Sequence, residues 1–416
     1  MTNGKHVPKR RFKEFELDDE WEQLKLGDHA NILTGGTPNT SISSYWEPKE
    51  IPWMSSGEVN RKRLDKTDNM ISNDGIRNSS ARWVKKHSIL IALAGQGKTR
   101  GMVAVNNIPL TTNQSVAAIE PDKTLNYEFV FQNLSKRYDE LRLISSGDGS
   151  RGGLNKQIVS DISIACPNVN EQELIGNFLA DFDSLITMNQ HKLDKLRNLK
   201  KAYLSEMFPA EGERVPKRRF PGFEGEWEQM LLGKIGKAQS GIGFPDSEQG
   251  GKVGIPFYKV SDMNNNGNEH EMVFANNYVT LEQMSQRGWK AIHDVPAIFF
   301  AKVGAAVLLN RKRLCRVPFL MDNNTMAFSL DTSKVDTNFA KTMFETVDLT
   351  SLVQIGALPS YNTREVESIS VFVPAIKEQK QIGDFFHKLD NSISLQQQKL
   401  DKLNDLKKAY LNELFV

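Results

Sequence analysis

One segment of this chain occurs twice, and the repetition constrains how the whole chain can fold. His191–Phe208 reads HKLDKLRNLKKAYLSEMF, Gln398–Phe415 reads QKLDKLNDLKKAYLNELF, and thirteen of these eighteen positions are identical. The starts of the two halves also match, because VPKRRF stands at Val7–Phe12 and again at Val215–Phe220. The sequence between these repeated parts differs. We therefore expect two copies of one helical frame, each carrying a different domain.

Each repeated segment belongs to a longer stretch that we predict to be one helix, from about Glu171 to Phe208 and from Glu378 to Phe415. Apolar residues recur there at spacings of three and four without an interior proline, which is typical of a coiled coil. Such a helix spans roughly 55 Å, too long to be covered by one small domain. Its apolar stripe packs most simply against the other copy, as an antiparallel pair in an elongated, pseudo-two-fold molecule. The alternative is that each stripe is only the buried face of a helix within its own domain.

Chain length and the repeat together predict the domain organisation. At 416 residues the chain exceeds one ordinary hydrophobic core. The predicted fold class is α+β, with two mixed α/β domains joined by two long antiparallel coiled-coil helices in a pseudo-two-fold tandem repeat. We place the first mixed domain at 1–165, the first helix and linker at 166–213, the second mixed domain at 214–372 and the second helix at 373–416. A short strand ended by proline, at Ile162–Pro167 and Ile369–Pro374, precedes each helix.

Composition indicates an ordinary cytoplasmic protein. The chain is 39% hydrophobic and 25% charged, it begins without an apolar signal segment, and its longest apolar stretch, Val295–Leu309, is too short for a bilayer. Cys166 and Cys315 lack histidines at ligand spacing, so we expect reduced, partly buried thiols rather than a metal site.

A net charge of +2 predicts no partner, but the positive charge is clustered. Short basic runs are usually solvated surface, whereas several on one chain favour a basic groove. The runs are Lys9–Arg11, Arg61–Arg63, Lys85–Lys86, Lys217–Arg219 and Arg311–Arg313.

The sequence contains no convincing catalytic signature. Gly147–Gly152 matches GxGxxG, but it follows an apparently helical stretch, Tyr127–Ile144, rather than the strand that a dinucleotide site requires. Gly97-Lys98-Thr99 resembles the end of a phosphate-binding loop, yet Ala92 stands where the first glycine is needed. Metalloprotease, hydrolase and adenine-methyltransferase motifs are also missing. A binding or scaffold protein is therefore favoured over an enzyme.

The order of these parts resembles the specificity subunit of type I restriction–modification systems. The resemblance rests on VPKRRFPGFEGEWEQ at the start of the second half and on the two EQ…IG…LDKL…LKKAYL helices. Ile51-Pro52-Trp53 and Ile255-Pro256-Phe257 add matching strand starts. Each string is weak alone, but their repetition in this order covers the chain from end to end.

The resemblance implies a non-catalytic subunit with two target recognition domains, each reading one half of a bipartite, asymmetric DNA sequence. It implies that the helices set the spacer between the half-sites and dock two modification subunits, with restriction subunits bound further out. S-adenosylmethionine would belong to the modification subunits and ATP with Mg to the restriction subunits, so no cofactor or metal is expected on this chain. The competing hypothesis is a coiled-coil adaptor with two protein-binding heads and no DNA recognition.

Candidate DNA-binding residues follow strands at matching places in the two halves. Ser, Asn, Gln, Lys and Arg can bind base edges or phosphates, and carboxylates can accept from cytosine. The first-half candidates are Ser55, Ser56, Glu58, Gln96, Lys98, Thr99 and Arg100, and the second-half candidates are Lys259, Ser261, Asp262, Asn264 and Lys302. The alternative for the loops at Ser55 and Lys259 is a turn held by its own side-chain caps.

A second group of candidates stands just before the strand that leads into each helix. It comprises Arg151, Lys156, Tyr361, Asn362 and Arg364, which could bind phosphates or cap the junction with the helix. Arg311–Arg313 has no match in the first half, and it predicts either a local phosphate clamp or a solvated hairpin tip.

Overall fold

The chain forms two compact units in the computed structural model, which describes residues 6–95, 99–144, 153–353 and 359–416. The first unit comprises Met1–Gln190 together with Lys399–Val416, and the second comprises His191–Gln398. Each long helix is therefore divided between the two units.

The first unit is a mixed α/β domain with the start of one long helix. Its strands are β1 (Glu22–Lys25), β2 (Ala30–Thr34), β3 (Ile51–Met54), β4 (Arg63–Leu64), β5 (Asn69–Ile71), β6 (Trp83–Val84), β7 (Ile89–Ala92), β8 (Val103–Asn106), β9 (Leu110–Thr112), β10 (Val116–Pro121) and β11 (Ser163–Cys166). Its helices are α1 (Leu26–His29), α2 (Asn73–Arg77), α3 (Tyr127–Lys136), α4 (Tyr138–Leu143), α5 (Lys156–Ser160), the first part of α6 (Val169–Met207) and the last part of the second long helix, α10 (Ile376–Leu414).

The central sheet of this unit has the strand order β2-β10-β7-β8-β4. Every residue of β7 (ILIA) and β8 (VAVN) is buried, as expected for short apolar runs covered on both faces. Phe129 and Phe131 of α3 join the core with Trp21, and Phe415 at the end of the chain packs on Phe129. A second sheet, β5-β3-β9-β6, and the pair β1-β11 complete the unit.

The second unit repeats this topology with different residues. Its strands are β12 (Glu228–Leu231), β13 (Gly236–Ser240), β14 (Ile255–Tyr258), β15 (Tyr278–Val279), β16 (Ala297–Ala301), β17 (Lys312–Cys315), β18 (Leu320–Met321), β19 (Thr325–Leu330) and β20 (Ser370–Val373). Its helices are the last part of α6, α7 (Leu281–Arg287), α8 (Thr337–Thr346), α9 (Thr363–Glu367) and the first part of α10 (Ile376–Leu414). The sheets β13-β19-β16-β17, β15-β14-β18 and β12-β20 correspond to β2-β10-β7-β8, β5-β3-β9 and β1-β11.

The start of each long helix is attached to its domain by a repeated Glu-Gln pair. In the first unit, Arg11 donates from Nε and Nη2 to the two oxygens of Glu171, at 2.9 and 2.6 Å. Gln172 accepts from the Asn126 N–H at 2.9 Å and donates to the Pro167 carbonyl. These bonds fix the orientation of α6 against the domain.

The second unit uses the equivalent residues. Arg219 binds Glu378 at 2.8 and 2.7 Å, and Gln379 binds the Asp336 N–H and the Pro374 carbonyl. The same junction therefore holds two domains whose other residues differ.

The existence of the two long helices is confirmed: α6 and α10 each contain 39 residues and begin two residues before the predicted starts. The stretch before the GxGxxG match forms α3 and α4. All six residues of the GxGxxG match, at positions 147–152, lie outside the described residues.

Candidate nucleic-acid interface

The first candidate loop follows β3 and is stabilised by Glu58. This carboxylate is buried and accepts from the N–H groups of Ser55 and Asp68, at 3.0 and 2.9 Å. Arg61 adds a contact at 3.3 Å. Glu58 therefore holds the turn, while Ser55 and Ser56 are half-buried at its surface.

The second unit has the same loop after β14. Asp262 is buried and accepts from the N–H groups of Lys259 and Asn276, at 2.6 and 2.9 Å. Burial raises the pKa of Asp262, although these backbone hydrogen bonds lower it in part. Lys259 donates from Nζ to Gln249 at 3.0 Å, and Ser261 is exposed.

Arg311, the residue just before β17, is hydrogen-bonded to the loop after β14. It donates from Nη1 to the exposed Asn264 at 2.7 Å. Lys312 donates from Nζ to Asn310 at 2.8 Å and to the Val347 carbonyl, and burial lowers its pKa to about 8. Arg313 donates to the Asn268 carbonyl at 2.6 Å. The run is not a solvated hairpin tip, because all three side chains are half-buried and donate to groups of the same unit.

The second candidate loop is described only in part. Gln96 and Lys98 lie outside the described residues. Thr99 is half-buried, and Arg100 donates from Nη2 to the Arg142 carbonyl at 2.6 Å. In the second unit, the counterpart of this loop contains Lys302. Lys302 is half-buried, and its backbone N–H donates to the Asn324 carbonyl at 2.8 Å.

The candidates before each long helix lie in or next to two short helices, α5 and α9. Lys156 is exposed at the first position of α5, whose N-cap is Asn155; Arg151 lies outside the described residues. Asn362 caps α9, accepting from the Glu365 N–H at 3.1 Å, and Arg364 is exposed.

Tyr361 has a different environment from its neighbours. It is buried and donates its hydroxyl to the Ala301 carbonyl, and burial raises its pKa. Its hydroxyl is therefore committed to the domain interior.

The internal roles of Glu58 and Asp262 agree with the alternative stated for these two loops, a turn held by its own side-chain caps, and the spacing of the residues carries the signal. Glu58 stands three residues after Ser55 and Glu365 three after Asn362, which is the spacing of a capping box. Asp262 stands three residues after Lys259 and binds its N–H in the same way.

A cluster of charged side chains in the second unit resembles a metal site but contains its own cations. His270, Glu345 and Asp390 could together supply ligand atoms. However, Lys200 and Lys341 each lie 2.6 Å from an oxygen of Asp390. The carboxylate is thus neutralised by two ammonium groups, and this is an ion-pair network.

The two cysteines are free and buried, and burial raises the pKa of the Cys166 thiol to about 12, so it is protonated at neutral pH. No described helix combines the length and apolar character that a bilayer span requires.

Known proteins resemble this chain along most of its length. The family model for the type I restriction modification DNA specificity domain matches residues 18–198 and again 224–405. The MjaVIII specificity subunit of Methanocaldococcus jannaschii is 21% identical over 417 residues, covering 97% of this chain and 94% of that protein. The EcoR124I/EcoR124II specificity subunit of Escherichia coli is 28% identical over 176 residues, which is 42% of this chain and 43% of that protein.

A solved structure shows the same fold. The S subunit of a type I restriction–modification system from M. genitalium superposes with a TM-score of 0.67 at 14% identity, covering 99% of both chains. With two copies of the DNA specificity domain, the chain belongs to the family of type I restriction–modification specificity subunits.

Proposed function

We propose that each recognition domain reads one half of a bipartite, asymmetric DNA target. The observation that carries this proposal is that the two units share one topology but place different side chains at matching positions. Ser55 and Ser56 correspond to Lys259 and Val260, so the two loops offer different donors to base edges. Different readers on equivalent scaffolds favour different half-sites.

The proposed contacts are the candidates with polar groups at the surface, together with those outside the described residues. Glu58, Asp262 and Tyr361 are left out because their polar atoms are bound inside the domain. The contacts are Ser55, Ser56, Gln96, Lys98, Thr99, Arg100, Arg151 and Lys156 in the first half and Lys259, Ser261, Asn264, Lys302, Asn362 and Arg364 in the second.

The second part of the proposal is that α6 and α10 pair as an antiparallel coiled coil that sets the spacer. Contacts within each unit support it. In the first unit, the rings of Phe178 and Tyr410 lie 5.0 Å apart, and Asp183 binds Lys407. As residue numbers rise along α6 they fall along α10, which is the antiparallel sense.

The second unit offers the equivalent contacts. Lys200 and Asp390 are 2.6 Å apart, and the rings of Tyr203 and Phe385 are 5.0 Å apart. Again the residue numbers run in opposite directions along the two helices.

The third part of the proposal concerns partners. Two modification subunits, carrying S-adenosylmethionine, would dock on the repeated frame, and restriction subunits using ATP and Mg would bind further out. This chain would contribute target choice and no catalytic step. Near-identical helical repeats support a partner that is present in two copies.

Methylation mapping tests the proposal. Cells expressing this chain with its modification subunit are compared with cells lacking this chain, and we expect methyladenine at one split, asymmetric motif. Replacing 51–154 with the equivalent segment of another specificity subunit should change one half of that motif and leave the other half intact. If an assembled complex methylates no new motif, or if the exchange alters both halves, two-domain recognition is wrong.

A further inference from the structure

A groove lined by similar residues lies beside the start of the long helix in each unit. The first groove has a volume of about 570 Å³ and the second about 430 Å³. Both are bounded by the strand pair before the helix and by the loop that precedes a buried tryptophan, Trp21 or Trp227. The matching lining residues are Leu17 with Phe223, Asp18 with Glu224, Glu20 with Glu226, Glu22 with Glu228 and Val169 with Ile376.

The first groove is strongly acidic. Asp18, Asp19, Glu20 and Glu22 line it. The guanidinium of Arg11 also lines it, but its charge is met by the buried Glu171 at 2.6 Å. The rim therefore carries an excess of negative charge that repels DNA phosphates.

The second groove has the same sign. Glu224, Glu226 and Glu228 line it. Arg214 and Glu226 are both exposed to solvent, and the guanidinium nitrogen lies 3.7 Å from the carboxylate oxygen, so this pair neutralises little of the charge. Lys334, also in the lining, lies 2.8 Å from Asp331. Two recognition domains with unlike reading loops thus keep one acidic feature in common.

The acidic loops are held in place from within. Arg11 donates from Nη1 to the carbonyls of Asp18 and Asp19, at 2.8 and 3.3 Å, while its other nitrogens bind Glu171. Arg219 donates from Nη1 to the Gly225 carbonyl at 2.7 Å in the same way. The grooves are therefore preformed, which reduces the entropy lost when a partner binds.

Each groove also presents apolar surface to solvent. The side chain of Leu17 is fully exposed (100%), and Val169 and Ile376 at the two helix starts are 40% and 43% exposed. Leu17 lies beside four carboxylates, so a segment that covers it must be apolar on one side and basic around it. Covering such side chains is favourable at about 25 cal/mol per Å² of apolar area.

We propose that each groove binds one copy of a basic, amphipathic segment of the modification subunit. This inference rests on the proposed function, because it assigns a site to the partner named there. Duplication of the groove fits a partner present twice, and its charge separates this protein-binding face from the surfaces that contact DNA. The two grooves act as equivalent and independent sites.

Charge reversal of one groove at a time tests the inference. The full chain is co-expressed with its modification subunit, and the subunits per complex are counted by native mass spectrometry. We expect two modification subunits with the unaltered chain, one with Glu20→Lys/Glu22→Lys, one with Glu226→Lys/Glu228→Lys, and none when all four changes are combined. The matched control, Glu282→Lys/Asp294→Lys, reverses exposed acids outside the grooves and should retain two.

The outcomes separate this inference from the proposed function. Fewer than two modification subunits on the unaltered chain would contradict two-fold docking itself. Two on the unaltered chain and two on the fourfold variant would overturn the groove assignment alone, as would an equal loss in the control.

Photo-crosslinking covers the case in which a charge-reversed chain does not fold. Benzoylphenylalanine replaces Leu17 or Phe223, with the exposed Leu281 as the control position. Crosslinks from the first two positions to the modification subunit support the inference. Crosslinks to a second copy of this chain or to the restriction subunit, or equal crosslinking from Leu281, would overturn it.

Discussion

At the scale of the residue, the basic runs of the sequence separate into different roles. Arg11 is buried against Glu171, whereas its neighbour Arg10 is exposed and pairs with Glu413. Arg63 likewise binds Glu128, 65 positions further along the chain. Sequence alone predicts a basic patch from such runs because the carboxylate partners are remote in the chain and become neighbours only in the fold.

The contrast between Arg11 and Arg10 gives a prediction for stability. Arg11→Ala leaves the carboxylate of Glu171 buried without its partner, which typically costs about 3–5 kcal/mol. Arg10→Ala removes a solvent-screened pair and should cost no more than about 1 kcal/mol. Hydrogen exchange of the α6 amides in the full chain measures the loss of stability in each variant. Equal protection in the two variants would show that burial does not strengthen the Arg11 pair.

The half-buried His270 predicts a pH dependence in the second unit. Burial lowers its pKa from 6.5 to about 4; Asp390 opposes this shift, while Lys341, Lys200 and Arg313 reinforce it. The unfolded chain therefore binds the proton more readily, and the second unit loses up to about 3 kcal/mol as the pH falls from 6.5 to 4. Above pH 6.5 this loss is absent. Despite burial, the pKa of Asp390 is lowered by Lys341 and Lys200, so it stays ionised across this window.

Hydrogen exchange of β16 against pH provides the measurement. His270→Gln should flatten the decline in protection between pH 6.5 and 4. His293→Gln, which changes an exposed histidine of the same unit, should leave the decline unchanged. A decline that persists in His270→Gln would assign the acid sensitivity to other groups.

At the scale of the element, local patterns were predictable and remote contacts were not. The two long helices were predicted from apolar spacing and an absence of proline, and the structure confirms both helices. The loops after β3 and β14 are held by capping carboxylates whose three-residue spacing is visible in the sequence. By contrast, Asp183 contacts residues as distant as Arg63 and Lys407, and no local pattern reveals that network.

The repeated glycines of the long helices give a prediction at this scale. A Cβ on Gly176 would lie 2.9 Å from the Phe129 nitrogen, and one on Gly383 would lie 2.6 Å from the Phe339 nitrogen. Backbone atoms of a neighbouring helix cannot move aside without disturbing that helix. Gly176→Ala and Gly383→Ala should therefore each destabilise their unit by about 1–3 kcal/mol, with the larger loss at Gly383, where the contact is shorter. Urea unfolding followed through each unit's exchange protection measures this. Asn177→Ala, at an exposed helix position, is the control, and a similar small effect at all three sites would contradict close packing.

At the scale of the whole molecule, the chain combines a repeated frame with unlike readers. The frame residues Glu171, Gln172 and Gly176 recur as Glu378, Gln379 and Gly383, and each set makes the same contacts in its own unit. The sequence repeat predicted this frame because identical strings fold alike. It did not locate the reading residues, since polar loop side chains serve equally as caps and as DNA contacts until their partners are known.

The proposed spacer role of the helices gives the last prediction. Inserting seven residues in α6 after Gln190 and seven in α10 after Gln398 preserves the apolar spacing of both helices. Each helix lengthens by about 10 Å, which corresponds to about three base pairs at 3.4 Å each. Methylation mapping should then show both half-sites unchanged and the spacer longer by about three base pairs. Insertion in α6 alone puts the two helices out of register by two turns and should abolish methylation, because the contact of Asp183 with Lys407 and that of Lys200 with Asp390 cannot then form at the same time. An unchanged spacer after the double insertion would mean that the helices do not set the distance between the half-sites.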